Sequence, residues 1–306
     1  MRVAVVGAGH MGRYHAQKLA ARSDCKLVAV ADVDRARAEA LAGAHGCPAF
    51  TDYRALLGVA DAAVISVPTE RHREVAGACL DAGLHVLVEK PLAVDLDESR
   101  DLIGLARKNN VVLQVGHVER YNAAFRALAV RMHRPLFIEA ERLSGFKLRG
   151  ADVDVVLDLM IHDLDLALAL AKGEVTGVSA CGFRVLTRDI DIANARIEFS
   201  DGCVANLSAS RVSQAPVRKL RVFQADVYVS ADLQAGKLRY VRQAGGAIEE
   251  IEESHSGDAL AAQADAFVSA VLKAAPIPVD GEGGRRALEL ALEVGRLVRD
   301  RLKRFG

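Results

Sequence analysis

No Cys-x-x-Cys pair occurs in the 306 residues, and the five cysteines, Cys25, Cys47, Cys79, Cys181 and Cys203, are scattered and odd in number. That argues against a zinc knuckle or a disulfide framework and leaves reduced thiols, buried as small apolar side chains, as the expectation. No charge of one sign prevails: forty Lys and Arg balance forty Asp and Glu. A general nucleic-acid or membrane-surface binder needs a one-signed field, so neither partner is expected and a small-molecule ligand fits better. No apolar run is long enough to span a membrane, and the amino terminus enters a strand pattern without the features of a signal peptide. A cytoplasmic location is therefore expected. Internal repeats and low-complexity stretches are absent as well.

What is present is an ordinary globular composition, 51% hydrophobic, on a chain long enough for two domains. Arg2 to Val6 reads as a short strand and is followed at once by GAGHMG, in which Gly7, Gly9 and Gly12 have the G-x-G-x-x-G spacing. One glycine permits the tight turn, one lets the backbone approach a pyrophosphate, and one lets helix and strand pack closely. His10 and Met11 belong to the same candidate cofactor loop. LVAVAD follows as a second strand ending in Asp32, twenty residues after Gly12, where an acid would accept hydrogen bonds from a ribose. An acid there repels a 2′-phosphate, so NAD is favoured over NADP, although Arg35 and Arg37 lie close by. As a bland alternative, Asp32 is only a turn residue.

The alternation continues with strands at 62–67, 85–89 and 111–115 and helices at 71–82 and 95–109, which predicts a doubly wound parallel sheet over residues 1–118. Ligands bind such sheets beyond the carboxyl ends of the strands. Besides the glycine loop, two strand endings stand out: VPTERH, with Pro68, Thr69 and His72, and EKP, with Glu89, Lys90 and Pro91. Proline fixes the exit from a strand and permits a cis bond, which would aim Lys90 sideways.

Residues 155–170, VVLDLMIHDLDLALAL, read as a helix that is apolar yet holds three aspartates and a histidine. At about 100° per residue, Asp158, His162 and Asp165 share one stripe, while Asp163 points elsewhere and serves structure. Unpaired charge in an apolar setting costs several kcal/mol, so such a stripe usually faces a cleft, a partner or water. A metal site is one reading of this stripe.

Taken together, GAGHMG, VPTERH, EKP, GHVERYN at 116–122 and the D-x-x-x-H-x-x-D helix resemble the glucose-fructose oxidoreductase, inositol dehydrogenase and MocA (Gfo/Idh/MocA) family of nicotinamide-dependent dehydrogenases. The resemblance implies that Lys90 lies beside the nicotinamide, with Asp158 and His162 facing it from the second domain, and that no metal is used. It also makes Arg120, Tyr121 and Asn122 substrate-side candidates, with Asp165 either contacting substrate or capping and pairing within the protein. Met160 stands where the family has glycine, which puts the shape of the substrate pocket in question.

Residues 119–306 are expected to form an α+β domain for substrate binding and oligomerisation, with an open, mainly antiparallel sheet. NARIEFS and CVANLSASR read as a hairpin joined at Asp201–Gly202, and further strands are expected at 220–223, 227–230 and 237–241. Helices are expected at 259–274 and 285–301. The resemblance implies a homo-oligomer, dimer or tetramer. The basic segment from Arg142 to Arg149, with Lys147, offers either a grip on a nucleotide-sugar diphosphate or a solvated surface.

Oxidising a secondary alcohol requires a base for the hydroxyl proton as hydride leaves the same carbon. An imidazole in general titrates near neutral pH, so His162 suits that task, Asp158 would orient it or pair with Lys90, and Lys90 would stabilise alkoxide charge. Within the family, DVDVVLDLMIHDLDLALAL and RKLRVFQ are similar to the subgroup of UDP-N-acetylglucosamine 3-dehydrogenases, which supply a 3-keto nucleotide sugar for the 3-amino sugar of lipid A. The alternatives are a free-sugar or inositol dehydrogenase and a non-catalytic dinucleotide-binding regulator.

Overall fold

A computed structural model describes residues 1–146 and 153–305. In chain order its strands and helices are β1 (Arg2–Val6), α1 (His10–Ala20), β2 (Lys26–Ala31), α2 (Arg35–His45), β3 (Ala49–Phe50), β4 (Ala62–Ile65), α3 (His72–Asp81), β5 (His85–Val88), α4 (Leu96–Lys108), β6 (Leu113–Val115), α5 (Ala123–Ala129), β7 (Phe137–Leu143), α6 (Ile161–Leu170), β8 (Val175–Phe183), β9 (Ile192–Phe199), β10 (Val204–Ser210), β11 (Val217–Phe223), β12 (Val227–Asp232), β13 (Lys237–Ala244), β14 (Ala247–Ser254), α7 (Ala259–Lys273) and α8 (Gly281–Phe305). They fall into two units: Met1–Val118 with Asp258–Arg285, and Glu119–Gly257 with Arg286–Gly306. No helix among the described residues is long and apolar enough to cross a membrane.

The first unit is built on a six-stranded sheet in the order β3-β2-β1-β4-β5-β6, every pair parallel. Strands covered on both faces must be apolar on both, and β1 obeys: Val3 and Val5 face one core, Ala4 and Val6 the other. The first core is closed by Ala16 and Leu19 of α1 and by Ala264, Phe267 and Val268 of α7. The second is closed by Val75 and Leu80 of α3 and Leu102 and Ile103 of α4. Strand order reverses between β1 and β4, and such a switch point opens a crevice at the carboxyl ends of the strands.

The expected boundary at 118 ends only the first stretch of this unit, because the chain returns at Asp258. The reason is α7, whose buried Phe267 completes a core begun by β1 and α1. Local sequence marks α7 as an amphipathic helix but does not say which sheet it covers.

In the second unit eight strands run β14-β13-β12-β11-β7-β10-β9-β8, antiparallel throughout except for the parallel pair β7–β10. Leu164 and Leu170 of α6, Phe125 of α5 and Val294 of α8 pack with Ile138, Leu207 and Val222 to form its core. The Asp201–Gly202 hairpin is present: Gly202 adopts a φ of +87° and the Asp201 carboxylate accepts from the Cys203 N–H at 3.0 Å. Strands β7, β8 and β14 go beyond the sequence-based expectation. β7 is central in the sheet, and its inward row, Ile138, Ala140 and Arg142, contains a charge that disguises the alternation.

The expected single α-helix over 155–170 is divided. Residues Val156–Met160 form a π-helical turn, and α6 begins at Ile161. Asp154 starts the segment, its carboxylate accepting from the Val156 and Leu157 N–H groups at 3.0 Å each. Wider turns of this kind are often found at functional sites.

Candidate active site

The first unit places the glycine loop between β1 and α1. Gly7 has a φ of +94°, and a Cβ there would meet the Ser66 carbonyl oxygen at 2.5 Å. A Cβ on Gly12 would lie 1.7 Å from the Gly7 oxygen and 2.8 Å from Ser66 Oγ, so strand and helix meet there with no room for a side chain. A Cβ on Gly9 would meet nothing within 4 Å. Gly9 is also the N-cap of α1 and supplies no side-chain cap, which leaves first-turn N–H groups for an anion. His10 and Met11 open α1, and the His10 ring packs edge-on against Tyr14 at 4.8 Å.

These features border a pocket of about 410 Å³ lined by Gly7, Gly9, Asp32, Arg37, Pro68 and Arg71, among others. Asp32 at the end of β2 accepts from the Ala8 N–H at 2.6 Å and from the Asp34 N–H at 2.8 Å. Each carboxylate oxygen keeps a second lone pair for a ligand hydroxyl. Both arginines at the rim are engaged, Arg37 with Asp34 at 3.2 Å and Arg71 with Glu74 at 2.8 Å. Open space before Gly9, uncapped donors and an acid beyond them fit the pyrophosphate and ribose of a dinucleotide. Thr51, Ser66 and Arg71 were not singled out by the sequence. Arg71 lies inside VPTERH, but Thr51 follows a two-residue strand that gives little signal.

Pro68 and Thr69 leave β4 beside this pocket, with Pro68 in its lining. His72 takes a different place. Its ring is buried, with Nδ1 2.8 Å from the Pro91 oxygen and Nε2 3.1 Å from the Val67 oxygen, so it braces two strand exits rather than opening to a ligand. Burial holds its imidazole below the usual histidine range, outweighing the attraction of those carbonyls.

Glu89 is buried too, paired with His15 of α1 at 2.7 Å. Burial opposes its charge, but the hydrogen bond from His15, with further attraction from His15, Lys90 and His72, holds the carboxyl below its usual range. Gly116 lies against it: a Cβ there would be 3.0 Å from the Glu89 Cα. His15 therefore belongs to the setting of the EKP turn. No local pattern signals this pair, since the partners are 74 residues apart. Lys90 follows, half-buried, with a cis bond to Pro91.

The second unit gathers the remaining candidates. Asp158 lies in the π-helical turn and His162 in the first turn of α6, both half-buried. Met160 between them is fully buried in the unit's core, which absorbs the side chain that stands at the family's glycine position. Asp165 is also buried and lies 3.5 Å from Arg120. Tyr121 is buried, and burial pushes its hydroxyl well above the usual range. Asn122 is spent locally, capping α5 through the Ala124 and Phe125 N–H groups and donating to the Leu233 oxygen at 2.8 Å. Among the described residues no group of three His, Cys, Asp or Glu side chains could hold a metal ion.

Arg142 differs from both expected readings. It is neither solvated nor open to a phosphate but buried, donating to both Asp163 oxygens at 2.8 and 2.9 Å and to Glu119 at 2.8 Å. Lys147 and Arg149 lie outside the described residues.

Residues 1–117 match the family model described as "Oxidoreductase family, NAD-binding Rossmann fold", and residues 126–226 match the Gfo/Idh/MocA C-terminal domain. The chain is 42% identical to UDP-N-acetylglucosamine 3-dehydrogenase of Acidithiobacillus ferrooxidans, with 99% of each chain covered. The chain belongs to the Gfo/Idh/MocA family of oxidoreductases. A solved structure of the Acidithiobacillus ferrooxidans enzyme superposes with a TM-score of 0.93 at 40% identity over 98% of each chain. Inositol 2-dehydrogenase of Rhizobium meliloti is 27% identical, with 98% of each chain covered. Scyllo-inositol dehydrogenase from Lactobacillus casei, solved with NAD(H) and scyllo-inositol, shares the fold at 19% identity and a TM-score of 0.85 over 98% of this chain and 97% of that one. This Gfo/Idh/MocA chain is thus an oxidoreductase with a nicotinamide-dinucleotide fold.

Proposed function

We propose that the protein is an NAD-dependent dehydrogenase that oxidises the C3 hydroxyl of UDP-N-acetylglucosamine, supplying a 3-keto nucleotide sugar for 3-amino-sugar synthesis in lipid A. The observation that carries this reading is the end-to-end likeness, at 42% identity, to an enzyme named for that reaction. Dinucleotide binding falls to the first unit. Gly7, Gly9, Gly12 and the first turn of α1 would hold the pyrophosphate, and Asp32 the adenosine ribose. The negative charge of Asp32, with Arg37 and Arg71 already paired to acids, favours NAD over NADP. When bound, the nicotinamide accepts the hydride.

The chain's own residues handle the proton. His162 takes it from the alcohol, Asp158 orients the imidazole and stabilises its charged form, and Lys90 donates to the oxygen as negative charge develops there. Arg120, Tyr121 and Asp165 serve the substrate side. A dimer or tetramer, in the cytoplasm, belongs to the same reading. The oligomer is supported by the sheet face away from the second unit's core, where the Phe223 ring lies 5.8 Å from Phe137 and 4.7 Å from Tyr228.

The test is a panel of UDP-sugars, free sugars and inositols with NAD and NADP, following reduced nicotinamide. Turnover of UDP-N-acetylglucosamine that falls at least a hundredfold in Lys90→Ala and His162→Ala is expected. Turnover of an inositol or free sugar instead would replace the substrate assignment. No turnover of any alcohol would favour a regulatory dinucleotide binder.

A further inference from the structure

α6 is buried on most of its circumference, at Ile161, Asp163, Leu164, Asp165, Leu166, Ala167 and Leu170. Apolar burial is not directional, so a helix buried this broadly has little apolar preference for one rotation about its axis. Its direction must come from a group with geometry. Asp163 is such a group, and it meets Arg142 in the central strand β7.

Three contacts define the arrangement. Arg142 Nε and Nη2 donate to the two oxygens of Asp163 at 2.9 and 2.8 Å, a two-pronged contact that fixes direction as well as distance. Its Nη1 donates to Glu119 at 2.8 Å, in the 3₁₀ turn Val118–Tyr121. Arg218 of β11 stands 3.5 Å from the same Glu119 oxygen, and Asn122 donates to the other oxygen at 3.3 Å. Arg142 and Asp163 are each less than one-tenth exposed, so a turn of α6 by one residue would strand charges in the core. For Arg142, burial opposes the charge, but Asp163 and Glu119 outweigh it and raise the pKa.

The neighbours in sequence give this clamp its meaning. His162 precedes Asp163, and Arg120 and Tyr121 follow Glu119. We propose that Arg142 is a positioning residue: by gripping Asp163 and Glu119 together, it sets the direction of His162 on α6 relative to the 118–121 turn. The inference rests on the reading of His162 as the base. Apolar residues of similar volume would often be as stable at such a place as a buried ion cluster, so stability alone does not account for it.

The test uses the whole 306-residue chain and two variants. In the first, Arg142→Met, Asp163→Leu and Glu119→Gln are combined, leaving neither Arg142 nor Asp163 as an unpaired buried charge. The second is Arg142→Lys, which keeps the charge without the fork. Kinetics with UDP-N-acetylglucosamine and NAD are read per folded molecule, beside thermal unfolding and NMR of the His162 ring, assigned through His162→Gln. The combined variant is expected to fold, to lose about tenfold to a hundredfold in kcat with the KM for NAD unchanged, and to show a displaced His162 ring signal. Arg142→Lys is expected to fall between it and the wild type.

Wild-type kcat per folded molecule with an unmoved ring signal, in whichever variant folds, would overturn the proposal. If the wild type turns over no alcohol, the functional reading fails and the ring signal alone decides the positioning role.

Discussion

Replacing Asp32 by Asn removes one negative charge from the adenosine end of the pocket with almost no change in size. In the folded protein the carboxylate accepts from Ala8 and Asp34 at 2.6 and 2.8 Å. A hydrogen bond to a charged group contributes about 1.5–3 kcal/mol, and a neutral amide can accept only through its single oxygen. One N–H is then left facing the amide NH2, so the loop that approaches the pyrophosphate should loosen by about 2 kcal/mol, or about 30-fold in the KM for NAD. For NADP this loss is opposed by relief of repulsion. Two like charges about 5 Å apart repel by about 1 kcal/mol in water and about 3 kcal/mol at the effective dielectric of a protein surface. The NADP constant should therefore change little, and the ratio of kcat/KM for NAD to that for NADP should fall about 10- to 100-fold. Steady-state rates with each cofactor at saturating alcohol measure this, beside thermal unfolding to confirm the fold. A ratio within about threefold of the wild type would refute the role assigned to the Asp32 charge.

The second and third glycines of the loop should separate folding from binding. Gly12→Ala is expected to collide with the Gly7 backbone and lower the melting temperature, whereas Gly9→Ala keeps the wild-type melting temperature but loses the upward shift on adding NAD. The buried His72, held below its ordinary pKa of 6.5, stabilises the fold above that pH, and the contribution is lost as pH falls through the depressed value. Melting temperatures from pH 7.5 to about pH 5 should accordingly fall less steeply in His72→Gln than in the wild type. Asp191 is lowered to about 2 because the Thr187, Val185 and Leu186 N–H groups and the Thr187 hydroxyl outweigh its burial. Against an ordinary 3.8, Asp191→Asn should cost about 2 kcal/mol in urea unfolding at neutral pH, a difference that vanishes as pH falls below about 2.

Much of the first unit was legible because parallel strands buried on both faces are plain apolar runs with breaks between them. The glycine loop and Asp32 line one pocket because their spacing is set by a strand, a turn and a helix, all local. What stayed hidden depends on partners far apart in sequence. His15 is an unremarkable histidine until the chain brings it to Glu89. Arg142 sits in a basic stretch that reads as either a diphosphate grip or a solvated surface, and only the pairing of β7 with β10 and β11 puts it in the sheet's buried row. Asp158 and His162 are singled out as candidates by their spacing, but uniform helical geometry fails between them because Val156–Met160 widens into a π-helical turn.

The return of α7 to the first sheet governs the order in which the molecule can be finished. A ribosome has released the whole dinucleotide half up to Val118 long before it makes Phe267 and Val268, the side chains that seal the face lined by Val3, Val5 and Leu19. The nascent amino-terminal half must wait, with that greasy surface bare, through synthesis of the intervening 139 residues, Glu119–Gly257. A gene fragment truncated after residue 118 should therefore yield a sticky, aggregation-prone product, whereas grafting Asp258–Arg285 onto it through a short linker should restore solubility.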